Sequence, residues 1–206
     1  VEERFESGAV AGILHRPPRP NSHGIVLTHG AGSNANAPVL AALARAFAGQ
    51  GYTVLRYDLP FRVRRPKGPP FPAQAAEDRE GVRRAAAAMR ALVSGSVVAG
   101  GHSYGGRQTA MAAAEDPALA RSLLLLSYPL HPPDKPAQLR TAFFGDLRTP
   151  ALFVQGTRDP FGSIEEMHAA LALIPAPVDL IAIDGAAHDL KAAPAFAGEI
   201  LTRMLF

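Results

Sequence analysis

Ser96-Val97-Val98-Ala99-Gly100 runs directly into Gly101-His102-Ser103-Tyr104-Gly105, and this junction decides how the rest of the chain is read. An apolar run followed by Gly-x-Ser-x-Gly is the pattern of a strand ending in a sharp turn that lifts a serine hydroxyl off its tip. The serine of such a turn takes a strained backbone conformation. Side chains two residues to either side would collide there, so glycine is favoured at both flanks. Gly101 and Gly105 fill the flanks and Gly106 adds room. By itself the five-residue pattern is loose. Its weight comes from the strand before it, a helix expected from Gly105 to Glu115, and a late aspartate and histidine. That helix directs its N-terminus at the serine, where it favours developing negative charge.

Two later strand-and-loop units carry the aspartate and the histidine. Ala151-Leu152-Phe153-Val154-Gln155 reads as a short buried strand, and Gly156-Thr157-Arg158-Asp159-Pro160 as the loop leaving it. Val178 to Ile183 is the next strand, and its loop Asp184-Gly185-Ala186-Ala187-His188 ends in the histidine. A serine hydroxyl is a weak nucleophile at its own pKa. His188 is therefore expected to take its proton, while Asp159 fixes the imidazole tautomer and stabilises the imidazolium. Asp184 and Asp189 are alternative acids, but they share the loop of the base, which suits an orienting acid poorly. Asp159 also has a structural reading as the cap of a helix starting near Ser163, and His188 as a surface histidine. The negative charge on an attacked carbonyl oxygen needs preorganised donors. Tyr104 N–H is one candidate. Strand Gly24 to His29 and its small-residue loop Gly30-Ala31-Gly32 supply the other, with Ala31 N–H the first choice and Gly32 the second.

Together, Thr28-His29-Gly30-Ala31-Gly32, Gly101 to Gly106, Gln155 to Pro160 and His188 resemble the α/β-hydrolase superfamily over nearly the whole chain. The resemblance implies an α/β-hydrolase fold, a mostly parallel sheet with helices on both faces, and a triad in the chain order Ser103, Asp159, His188. Tyr57-Asp58-Leu59-Pro60-Phe61-Arg62, Gly106-Arg107 and Tyr128-Pro129-Leu130-His131-Pro132-Pro133 are similar to a compact branch of hydrolases of dienelactone-hydrolase size. That branch is related to the testis-expressed and nonspecific-lethal-complex subunit proteins. It implies fold and triad positions, not substrate, and its members can also serve as subunits of complexes.

Alternating strand and helix patterns predict a parallel sheet covered on both faces. A hairpin over about Phe5 to Val10 and Ala11 to Leu14 is expected at one edge. After strand 24 to 29 come a helix from Val39 to Gln50 closed by Gly51, strand Thr53 to Tyr57, and a proline-rich loop. A helix from about Ala73 to Leu92 carries acids early and arginines late, as the helix dipole favours. Strand Ser122 to Ser127 leads into a minimal lid, about Tyr128 to Arg148, rich in proline. The last helix spans about Pro194 to Met204. No repeat or linker divides the chain, so a single domain over 1–206 is expected.

The 206 residues, 48% of them hydrophobic, suit one core that buries about 70% of the unfolded surface. Without cysteine there is no disulfide and no thiol catalysis. No apolar stretch reaches spanning length. The start, Val1 to Glu6, is charged and lacks a signal-peptide core. A cytoplasmic protein is therefore expected, although residue 1 is not methionine and a removed leader stays open. The net charge of +3 is small, and its densest cluster, Arg62, Arg64, Arg65 and Lys67, lacks interleaved aromatics. A solvated surface loop is expected there, and no nucleic-acid partner.

Other polar residues are assigned more modest parts. His102 reads as a packing or supporting group, and His29 as a structural residue that holds the oxyanion loop by a hydrogen bond. His131, in the lid, is open between substrate contact and exposure; with Gly32 it is a candidate substrate-binding position. The Tyr104 side chain either lines the pocket or packs under the lid. Asp58 and Arg107 are candidates for a buried pair. The histidines are scattered without metal-ligand spacing, so no metal and no cofactor are expected. The expected function is a serine hydrolase acting on a small acyl substrate through an acyl-enzyme. The alternatives are a noncatalytic adaptor or another chemistry on the same residues, such as perhydrolysis or thioester or peptide cleavage. Oligomeric state and acyl length are open.

Overall fold

In the computed structural model, which describes residues 1–204, eight strands join in one sheet ordered β1-β2-β4-β3-β5-β6-β7-β8. They are β1 (Glu2–Ser7), β2 (Val10–His15), β3 (Gly24–Thr28), β4 (Thr53–Tyr57), β5 (Val97–His102), β6 (Ser122–Leu126), β7 (Ala151–Gly156) and β8 (Val178–Ile183). From β4 to β8 every pairing is parallel, and the hairpin β1-β2 closes one edge in antiparallel fashion. The register sets Thr28 beside Gly101, His102 beside Leu126, and Gly156 beside Ile183. Parallel strands in this register end together, so the loops after β3, β5, β7 and β8 rise from a single rim.

Helices α1 (Pro38–Gly49) and α6 (Ala197–Arg203) cover one face; α3 (Ala75–Arg90), α4 (Tyr104–Glu115) and α5 (Ile164–Leu171) cover the other. Strand residues divide between the two cores by alternation: Leu123 and Leu125 join one, Leu124 and Leu126 the other. In α1, Val39, Leu40, Leu43, Ala44 and Phe47 recur at helical spacing and are buried, which is the pattern of a core-facing stripe. Burying one such large side chain as fully as Phe47 contributes roughly 1.5–3 kcal/mol before entropy is counted.

Two expectations need correction. The hairpin reverses earlier than the sequence suggested, because Ser7 pairs with Val10 across a two-residue turn in which Gly8 has φ +56°. A two-residue hairpin turn favours positive φ, which glycine supplies without strain. Secondly, the stretch after β4 is not all loop: α2 (Pro60–Arg64) begins with proline in its first turn, where the missing N–H costs nothing. The short segment 128–148, read as a minimal lid, is packed down at several points. Tyr128, Leu130, Phe144 and Leu147 are buried, the rings of Tyr128, Phe144 and Phe153 pack together, and Tyr128 Oη donates to Arg140 O at 2.7 Å. Leu205 and Phe206, the last positions of the expected 1–206 span, lie outside the described residues.

Candidate active site

Ser103 follows β5 with φ +52° and ψ −119°, a backbone conformation that costs an L-residue of order 1–3 kcal/mol. Its N–H donates to Leu126 O at 2.8 Å, and its carbonyl accepts Arg107 N–H as α4 begins. The flanking glycines are required by close approach. A Cβ at Gly101 would stand 2.9 Å from Thr28 O and from the backbone of Gly105 and Gly106, and one at Gly105 would stand 2.5 Å from His29 O. The elbow thus comes from two backbones pressed together, with no room for a side chain between them.

The structure brings His188 and Asp159 to this serine. His188 Nε2 lies 2.8 Å from Ser103 Oγ, and Nδ1 lies 2.8 and 3.0 Å from the carboxylate oxygens of Asp159. A carboxylate at Nδ1 calls for the proton there, leaving the Nε2 lone pair to face the hydroxyl. The Asp159 side chain is fully buried and that of His188 is 23% exposed. Asp159 Oδ1 also accepts Phe161 N–H at 2.9 Å, and the Phe161 ring lies 4.2 Å from the imidazole. The competing roles for the acid fall elsewhere. Ser163 caps α5 in a reciprocal bond pair with Glu166, Asp184 accepts from Thr157, and Asp189 pairs with Lys191.

On the other side of the serine, Tyr104 is the first residue of α4, so its N–H has no acceptor in the helix. Among the described residues neither Tyr104 N–H nor Ala31 N–H reaches a protein acceptor. The carbonyls of the 30–35 loop, in contrast, are held by side chains at four positions. Gly30 O accepts from His29 Nδ1 at 2.9 Å, Ala31 O and Ser33 O accept from Arg62 at 2.9 and 2.7 Å, and Ala35 O accepts from Arg56 at 2.5 Å. Asp58 Oδ1 takes Ala35 N–H at 2.7 Å. Because C=O and the following N–H share one trans plane and point opposite ways, holding Gly30 O aims Ala31 N–H. Burial pushes the His29 pKa down. The ring is therefore neutral, donating from Nδ1 and accepting Leu59 N–H at Nε2, 3.2 Å away. This agrees with the structural role read for it. Gly32 is exposed, at the open lip of the same loop.

Several polar side chains stand elsewhere than expected. Arg62 is buried, 6% exposed, and binds Arg65 O and Gly68 O as well as the two loop carbonyls; Arg64 pairs with Glu77, and Arg65 lies over the Phe71 ring. The basic cluster is thus only partly a solvated loop, and it does have aromatic neighbours. Tyr104 is partly buried against the core that includes Tyr128 and Phe144, and it has partners the sequence did not suggest. Its hydroxyl donates to buried Asp78 at 2.7 Å, and its ring meets Phe61 edge-on. Burial pushes the Asp78 pKa up. Asp58 and Arg107 form no pair, since Asp58 serves Ala35 while Arg107 neighbours Tyr128 and Arg140. His131 is buried, not exposed, with one nitrogen at Pro132 O and the other 3.3 Å from Glu166. His102 packs 5.1 Å from the His188 ring and donates from Nε2 to His188 O at 2.7 Å, a supporting position as expected.

Sequence reasoning missed Arg56, Arg62 and Phe161. The Asp58-Leu59-Pro60-Phe61-Arg62 motif was visible, but nothing in it says that the arginine turns inward to carbonyls. Among the described residues no three His, Cys, Asp or Glu side chains group as metal ligands would, and no helix is long and apolar enough to cross a membrane.

Residues 21–199 match the alpha/beta hydrolase domain family. The chain belongs to that family. Solved structures of similar fold include an alpha-beta serine hydrolase homologue from Coxiella burnetii, 19% identical, TM-score 0.76, covering 100% of this chain and 97% of that one. The dienelactone hydrolase of Anabaena variabilis is 21% identical with TM-score 0.73, over 100% and 99% of the two chains. A serine hydrolase from Xanthomonas campestris, described as lacking a lid, is 18% identical with TM-score 0.71, over 100% and 96%. At these identities the likeness is one of fold.

Proposed function

We propose that this protein is a serine hydrolase that cleaves small esters or related acyl compounds through an acyl-enzyme, as a single domain over 1–206. Ser103 Oγ attacks the acyl carbon and its proton passes to His188 Nε2. Asp159 holds Nδ1–H and stabilises the imidazolium. The N–H groups of Tyr104 and Ala31 take the oxyanion, the acyl–oxygen bond breaks, and the departing alkoxide receives the proton from His188. Water then repeats the sequence on the acyl-enzyme and frees the acid. The scheme calls on no cofactor. The observation that carries the proposal is the continuous chain of contacts from Ser103 Oγ through His188 to a fully buried carboxylate. The Tyr57–Arg62 and Tyr128–Pro133 motifs support membership of the compact branch.

Ser103→Ala should lower kcat on p-nitrophenyl acetate by about a millionfold and abolish labelling by a fluorophosphonate probe. Equal rates for the two proteins would overturn the proposal. Absence of labelling in the native chain would instead favour an adaptor. For that rival reading the structure offers less basic surface than the sequence promised, because Arg62 is committed to internal carbonyls.

A further inference from the structure

A cleft of about 430 Å³ opens on the rim that carries Ser103. Ser33 of the oxyanion loop, His102 of the elbow, and Lys191 and Pro194 from the segment after His188 line it, with Val39 and Ala42 of α1. Each loop given a role at the serine except that of the acid therefore adds a wall. Clefts elsewhere lie away from this rim, such as one at the starting ends of β6 to β8 and others around the C-terminal end of α1.

We propose that this cleft is the acyl subsite and that it takes an uncharged aliphatic chain; the assignment rests on the serine-hydrolase reading above. Position argues for the acyl rather than the alcohol side. Two walls are the residue before the nucleophile and a residue just after the oxyanion donor Ala31, the groups that fix the acyl carbon. The leaving oxygen must instead stand at His188 Nε2; Ser103, Tyr104, Ala31 and His188 are not themselves walls, so the cleft begins beside the serine rather than at it. His102 both packs against that imidazole and lines the cleft.

Chemistry argues for an uncharged chain. Val39, Ala42 and Pro194 present hydrocarbon. At the rim the Lys191 ammonium is 3.0 Å from the Asp189 carboxylate, so the pair offers no net charge to draw an anionic tail. Of the other polar walls, His102 has its Nε2–H committed to His188 O, and Ser33 offers only an uncharged hydroxyl. Size argues for length, since pockets of about 300–1,000 Å³ enclose whole small ligands and an acetyl group would leave this one empty.

The test compares kcat/KM for p-nitrophenyl octanoate and p-nitrophenyl acetate, with fluorophosphonate labelling on the same samples. The native chain should favour octanoate by roughly tenfold or more, and Ala42→Trp, which fills the cleft, should lower the octanoate-to-acetate ratio by about tenfold. Val39→Ala, which enlarges it, should move the best substrate to longer chains. If Ala42→Trp shows no cooperative thermal transition, Val39→Ala decides the question alone. Labelled protein with a flat chain-length profile, or a ratio unmoved by the variants, overturns the acyl subsite alone. A preference that follows the alcohol chain, read with octyl acetate against ethyl acetate, overturns it too. Unlabelled native protein overturns the underlying hydrolase reading with it.

Discussion

The two sides of Ser103 are built by different means. On the His188 side, position follows from strand order and a short side-chain relay, and the two loops are stitched to each other. Thr157 N–H donates to Ile183 O, Arg158 N–H to Ala186 O, and Gly185 N–H to Thr157 Oγ at 2.8 Å. On the oxyanion side, the loop after β3 has no such partner loop. It is gripped by side chains of another segment, Arg56, Asp58 and Arg62, together with its own His29. One side is held by backbone meeting backbone, the other by buried cations meeting carbonyls. The first should fail at the level of proton transfer, and the second at the level of oxyanion aim.

Asp159→Asn probes the first side and should give the larger loss. An asparagine amide facing Nδ1 favours the wrong imidazole tautomer, and kcat should fall by about 10⁴-fold with the melting temperature little changed. A drop smaller than about tenfold would show that orientation by the acid does not matter here. Arg62→Met probes the second side. It leaves Ala31 O and Ser33 O without donors, so kcat should fall roughly 10²-fold while KM stays near its native value. Arg62→Lys should restore only part, because an ammonium cannot reproduce the fork of a guanidinium. Native kcat in a folded Arg62→Met protein would reduce the clamp to a purely structural feature and break the comparison.

The smallest effect expected is one of pH. Burial first, and then the nearby Arg56 charge, lower the His15 pKa from 6.5 to about 4, and its Nε2 accepts from Arg56 Nε at 2.8 Å. Between those values the unfolded chain binds a proton that the folded one refuses. Stability from this group is therefore present above about pH 6.5 and is lost as pH falls toward 4. Urea midpoints measured across that window should decline, and His15→Gln should flatten the decline. His29, whose pKa burial also lowers, contributes with the same sign. Since Arg56 also holds Ala35 O, acid should loosen the oxyanion side first. A slope identical in His15→Gln would remove His15 from the account.

The parts legible in the sequence are those governed by local sterics or periodicity. Thr53 to Tyr57 and Val178 to Ile183 were read to the residue, and the glycines around Ser103 announced a turn that only small residues fit. The same reading named the three side chains that the structure brings together. The hidden parts depend on partners without a signature. A carbonyl oxygen belongs to every residue, so nothing in Arg62 or Arg56 tells that they bind backbone, and a basic run between prolines looks like a solvated loop. Tyr104 and Asp78 were hidden for a related reason. Their bond joins α4 to α3 across 26 positions, a separation with no local pattern to reveal it. The proposed Asp58–Arg107 pair erred by matching opposite charges where a backbone N–H was the nearer partner.

The seam between the loops after β7 and β8 also defines a unit of exchange. A Cβ at Gly156 would press into the carbonyl of Ala186, and Thr157 bridges both ends of the seam. Chimeras with other members of the family should accordingly swap these two loops together, because either one transplanted alone would meet a surface cut for a different neighbour.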